Sequence, residues 1–109
     1  MHRPGSDPQD MQPTDFLCDF CERPWSERTP FIEGHHGSCI CGDCLSLAIV
    51  ERRGGGTASS GSCTMCLEHR EDLRWRSPRR DASICDRCID QATTVFGKDR
   101  SIDWSPPAA

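Results

Sequence analysis

At 109 residues the chain is long enough for one ordinary domain or two very small ones. Only 35% of it is hydrophobic, Tyr is absent, and four Phe with three Trp cannot fill a large apolar core, so something other than burial must hold the fold. The formal charge of −4 leaves no basic excess of the kind that sequence-independent nucleic-acid binding relies on.

In chain order, "MHRPGSDPQDMQPTDF" carries no apolar segment of the kind a secretory signal needs. No run approaches the roughly 18 apolar residues of a membrane span. The cysteines are therefore expected to stay reduced and the protein to be cytoplasmic. Residues 1–15 are expected to form a disordered tail.

Nine cysteines are present, and eight fall into four C-x2-C pairs: Cys18/Cys21, Cys41/Cys44, Cys63/Cys66 and Cys85/Cys88. The intervals of 19, 18 and 18 residues do not by themselves say which pairs share a metal. An internal repeat does. Laying "CDFCERPWSERTPFIEGHHGSCICGDCLSLAIVE" over "CTMCLEHREDLRWRSPRRDASICDRCIDQATTVF" with a one-residue gap aligns all four cysteines, the Ile before the third, and the apolar pattern after the fourth. The units are residues 16–52 and 61–97. Between them lies a flexible Gly/Ser linker, 53–60, within "ERRGGGTASSGS". Pairing Cys41/Cys44 with Cys63/Cys66 would enclose that linker in a metal loop, and RING-like cross-bracing is the other alternative.

Each unit has the same predicted elements. The segment between its two pairs reads as a loose β-hairpin, carrying "PFIEG" in the first and "DLRWRS" in the second. A short helix follows the second pair: Leu45, Ala48 and Ile49 recur at helical spacing, as do Ile89, Ala92, Thr93 and Phe96, with Gly54 and Gly97 expected as C-terminal caps. Helices this short are marginal alone and need a metal at the first turn. Knuckle, hairpin and helix make a treble clef. The expected fold is thus a small metal-stabilised α+β chain of two tandem four-cysteine zinc modules with disordered termini, the second tail spanning 98–109.

Zinc is the expected metal, two ions per chain, one held by Cys18, Cys21, Cys41 and Cys44 and the other by Cys63, Cys66, Cys85 and Cys88. The competing readings are a rubredoxin-like iron, disulfides, or a redox pair. Modules of about 35 residues are too small to fold by burial alone, whereas a structural zinc supplies about 10–16 kcal/mol. Four thiolates close the tetrahedron and carry a net charge of about −2 with the ion. No position is left open for water, and no nucleophile with a base can be named, so an enzyme is not expected. In the repeat, Cys39 lies over Ser83, His35 over Arg79 and His36 over Arg80. The second unit builds its site without them, so these three are expected outside the metal site, as is His69.

The run "HREDLRWRSPRR" sets Arg70, Arg74, Arg76, Arg79, Arg80 and Trp75 among Glu68, Glu71, Asp72 and Asp81. It reads as a solvated hairpin face with Trp75 either packed on the helix or exposed for a partner, and with nucleic-acid binding as the alternative. Leu47, Ile49, Val50, Val95, Phe96, Ile40 and Ile84 are the apolar residues expected to join the two units into an intramolecular pseudo-dimer, favoured by the high local concentration that the linker imposes. In the C-terminal "IDWSPPAA", Trp104 stands before Pro106 and Pro107; the stretch reads as a frayed end, with a short docking tail as the alternative.

On these residues the units resemble the ClpX-type zinc-binding domain. "DLR" before "ICDRC" opening a helix carries the likeness in the second unit, and "CDFCERP", "FIEG" and "ICGDC" carry it in the first. Gly42 departs from the acidic residue at the matching place in the second unit. The resemblance implies a four-cysteine treble clef used for dimerisation and for recognising substrates or adaptors of an ATP-driven unfoldase. No G-x4-G-K-[ST] phosphate loop occurs, so ATP hydrolysis is not expected of this chain. The expected partner is a protein, whether a substrate, an adaptor, a Clp-type unfoldase or an unrelated client, with pairing to a second copy as a further possibility.

Overall fold

The computed structural model describes all residues except 27, 28, 30, 35–37, 54–60, 71–73, 100–103 and 108–109. In the first module, β1 (Phe31–Glu33) pairs antiparallel with β2 (Cys39–Cys41), setting Phe31 opposite Cys41 and Ile32 opposite Ile40. Helix α1 (Gly42–Arg53) follows without a break. Its first turn is supported by Asp43, an acid at the positive end of the helix. The Cys44 amide also points at the Cys41 sulfur, 3.5 Å away.

The second module repeats this order after a two-residue ribbon of β3 (Gly61–Ser62) and β4 (His69–Arg70). Strand β5 (Arg74–Arg76) pairs with β6 (Ser83–Cys85), Trp75 facing Ile84, and α2 (Asp86–Lys98) starts directly after Cys85. Asp86 in the first turn and Lys98 in the last match the helix dipole at both ends. Gly97, expected as a cap, lies inside α2, which closes instead at Asp99 with its amide on the Phe96 carbonyl at 3.3 Å. Gly54 and the linker residues 54–60 lie outside the described residues.

Both modules share one core. Cys18, Phe20, Ile40, Leu45 and Ala48 from the first pack with Met65, Trp75, Ile84, Ile89 and Phe96 from the second. The helices lie against each other, α1 packs on β5, and α2 packs on β1, so each helix covers the other module's hairpin. Of the residues expected at the contact, Ile40, Ile84, Ile49 and Phe96 are buried. Leu47, Val50 and Val95 are not; they are 40%, 49% and 55% exposed. The hairpins, led by Trp75, take the place that these side chains were expected to fill.

Both ends of the chain meet the modules. Residues 1–15, read as a loose tail, run back along the first knuckle: His2 bridges to Phe16, and the Met1 amino group reaches the Leu17 carbonyl at 2.7 Å and Asp19 at 2.9 Å. A short 3-10 turn, Pro13–Asp15, lies between. At the other end Trp104 stacks on Phe96, ring centres 5.2 Å apart. Among the described residues no helix is long and apolar enough to cross a membrane.

Candidate metal centres

Each metal centre is made where a knuckle loop meets the junction of strand and helix. The first pair of cysteines lies in a tight turn whose residue after the second cysteine has a left-handed backbone: Glu22 at φ 64° and Leu67 at φ 62°. That turn closes by hydrogen bonds from the Glu22 amide to the Cys18 carbonyl at 2.9 Å and from the Leu67 amide to the Cys63 carbonyl at 2.8 Å. The second pair brackets the last strand residue and the first helical turn. One sulfur thereby enters from the strand and one from the helix.

The eight sulfurs gather as the repeat requires. Cys18, Cys21, Cys41 and Cys44 form one group and Cys63, Cys66, Cys85 and Cys88 the other, with the sulfurs of each group within 4.8 Å of one another. Sulfur separations are 3.8 Å for Cys18–Cys44, 3.7 Å for Cys21–Cys41 and 3.9 Å for Cys66–Cys85. A tetrahedron with metal–sulfur bonds of about 2.3 Å has edges of about 3.8 Å. These distances therefore fit zinc and are far too long for disulfides, whose bond is about 2.05 Å.

Backbone amides are aimed at the same sulfurs. Phe20 and Cys41 each donate to Cys18 at 3.4 Å, and Cys66 and Cys85 each donate to Cys63 at 3.4 Å. Amides so placed stabilise thiolate. The side chains add to this: hydrogen bonds from Cys41 and then Cys44 bring the Cys18 thiol down to about 2, while the Cys18 sulfur pushes Cys41 up to about 12 and raises Cys44. In the second group the Cys88 hydrogen bond lowers Cys63 to about 4, Cys88 is raised by the same contact, and burial raises Cys85. Without a cation each group thus favours a thiolate beside protonated neighbours. Four thiolates this close need a dication to offset their repulsion.

Both groups fit a zinc ion, two per chain, held by the eight named cysteines. Bound there, zinc supplies a cross-link between knuckle and helix, and four sulfurs complete its coordination. Cys39 stands apart from both groups: it is buried in β2 opposite Glu33, its amide bonded to Asp19 at 2.6 Å, and burial raises its thiol. His69 is an exposed residue of β4 paired with Ser62, likewise outside the sulfur groups. His35 and His36 lie outside the described residues.

Residues 17–49 match the ClpX C4-type zinc finger family. The matched segment holds all four ligands of the first centre, hairpin β1–β2 and most of α1. The second centre lies outside that segment and has the same order of hairpin, helix and four cysteines. No curated protein and no solved structure matches the chain.

Sequence reasoning missed Phe20 and Arg74 at the joint between the modules and left Trp75 open between packing on the helix and exposure to a partner. Phe20 and Trp75 face each other with ring centres 5.7 Å apart, and Arg74 beside Trp75 is fully buried. The signal was present in "DLRWRS", but a charged run reads as solvated, which conceals the burial of Arg74.

Proposed function

We propose that the chain is a zinc-stabilised protein-interaction module, adaptor-like, serving a Clp-type unfoldase or protease system or a client of its own. One observation carries this reading: packing the modules together leaves Leu47, Val50 and Val95 exposed on the helices. Val95 also lines a recess of about 270 Å³ with Ile32, Glu33, Met65 and Ala92, and exposed apolar side chains of this kind suit a protein surface. The role of zinc in this reading is structural and the chain is no enzyme. Its thiols call for a reducing compartment, which the cytoplasm provides.

The arginines bear against the nucleic-acid alternative. Arg74 is buried, Arg76 pairs with Asp81 at 2.7 Å, Arg80 pairs with Glu22, and Arg87 pairs with Glu68 at 2.8 Å. Paired guanidiniums have little left to offer to phosphates.

The test is binding of the immobilised zinc-loaded chain to a purified Clp-type unfoldase, with and without the unfoldase's own zinc domain, beside single- and double-stranded DNA. Saturable protein binding that weakens in Val50→Asp supports the reading. DNA binding that falls steeply with salt, without protein binding, would replace it with the regulator.

A further inference from the structure

The two helices meet head to tail, and the repeat relates the two ends of that contact. Eight residues after the fourth cysteine stand Arg52 in the first module and Phe96 in the second. Directly after the third cysteine stand Gly42 and Asp86, and two after the fourth stand Ser46 and Asp90. At one end Arg52 bridges Asp86 at 3.2 Å and Asp90 at 2.7 Å. At the other end all three positions differ together: Phe96 stands in place of the arginine, and Gly42 and Ser46 in place of the acids.

That second end holds an indole. Trp104 donates its ring N–H to the Gly42 carbonyl at 3.1 Å and to the Ser46 hydroxyl at 3.0 Å, and its ring lies on Phe96. A Cβ at Gly42 would come within 3.0 Å of the Trp104 ring, so the missing side chain makes the room. An aspartate there would instead fill the recess. Gly42, the departure from the acidic residue of the repeat, thus has a physical reason.

We infer that the recess formed by Gly42, Ser46 and Phe96 is an indole-binding site for tryptophan-bearing peptide segments, with Trp104 as its resident ligand in cis. A flat apolar platform, two acceptors for one N–H, and space in place of a side chain select tryptophan over phenylalanine, which has no donor, and over tyrosine, whose hydroxyl lies elsewhere. The recess takes residues from both helices, so it exists only when the modules are packed together. Because Trp104 follows Lys98 by six residues, its effective concentration at the recess is on the order of millimolar. A partner segment must displace it, which makes the tail a competitor of the partner. This deepens the interaction reading above and rests on it.

The probe is an acetylated, amidated pentapeptide with the sequence Asp-Trp-Ser-Pro-Pro, its indole fluorinated and read by fluorine NMR. Trp104→Ala, checked for two zincs and native circular dichroism, is expected to bind it, the intact chain to bind at least about tenfold more weakly, and Trp104→Ala with Gly42→Asp not to bind. Trp104→Phe, which keeps the ring but not the N–H, gives an intermediate affinity and serves if Trp104→Ala does not fold. Absence of binding to both tail variants would overturn the site, as would binding that Gly42→Asp leaves unchanged. Concentration-dependent dimers of the intact chain that vanish in Trp104→Ala would overturn the cis assignment. Binding of a Clp-type unfoldase elsewhere on the chain would leave the interaction reading standing whatever the peptide does.

Discussion

The Ser77 hydroxyl donates to the Phe20 carbonyl at 2.5 Å, tying the second module's hairpin to the first module's knuckle. At the corresponding end of β1 in the first module, Gly34 lies against the backbone of Met65, so close that a Cβ there would strike the Met65 carbonyl and lie 2.9 Å from its Cα. One contact is a hydrogen bond and the other a bare approach of two backbones. Gly34→Ala should therefore cost about 1–3 kcal/mol of overpacking, and Ser77→Ala about 1 kcal/mol for the lost bond. Chemical denaturation of the zinc-loaded protein measures both, and a neutral Gly34→Ala would contradict the close approach.

Arg52 joins the helices through Asp86 and Asp90. Its side chain is 25% exposed and the carboxylates 43% and 68%, so solvent screens the pair. Arg52→Ala should cost about 1 kcal/mol at low salt, and the loss should shrink in 1 M salt, where the screening length falls to about 3 Å. A larger, salt-independent loss would mean that Arg52 acts through packing.

Leu67 holds φ at 62°, where a side chain is strained. Leu67→Gly should raise stability by up to about 1 kcal/mol, and Leu67→Val should lower it by about 1–2 kcal/mol. Thermal unfolding of the two variants checks the sign, and equal effects would remove the backbone argument.

Zinc loading should release protons. Cys18 at about 2 and Cys63 at about 4 are thiolates at pH 7, whereas Cys41, Cys44, Cys85 and Cys88 are raised and still carry protons. Two raised thiols in each group give at least two protons displaced per ion. Bound metal competes with those protons, so affinity rises with pH, on the order of a hundredfold per unit near neutrality, and is lost as pH falls. Calorimetry in buffers of different ionisation enthalpy counts the protons, and pH-independent loading would be inconsistent with these thiols as ligands.

How far the fold was legible depended on how local its causes were. The C-x2-C spacing, the repeat and the turn from Ile40 or Ile84 into a helix are written in short stretches of sequence, and the hairpins and ligand sets follow from them. The face on which the modules pack was legible only in part. Helical spacing picks out Leu45, Ala48 and Ile49, which are buried, but the run Leu45 to Val50 is apolar on nearly every side, and Leu47 and Val50, also expected at the contact, turn out. Arg74 and Trp75, neighbours in β5 and so on opposite faces of the hairpin, are both buried, which charge counting hides. Trp104 reached Gly42 across 62 residues, beyond any local pattern.

The central claim is two independent four-cysteine zinc centres, and metal content of single variants measures it most directly. Native mass spectrometry with elemental analysis should find two zincs in the parent chain and in Cys39→Ser, and one in Cys63→Ser. Iron in place of zinc, or a full equivalent lost in Cys39→Ser, would contradict the account.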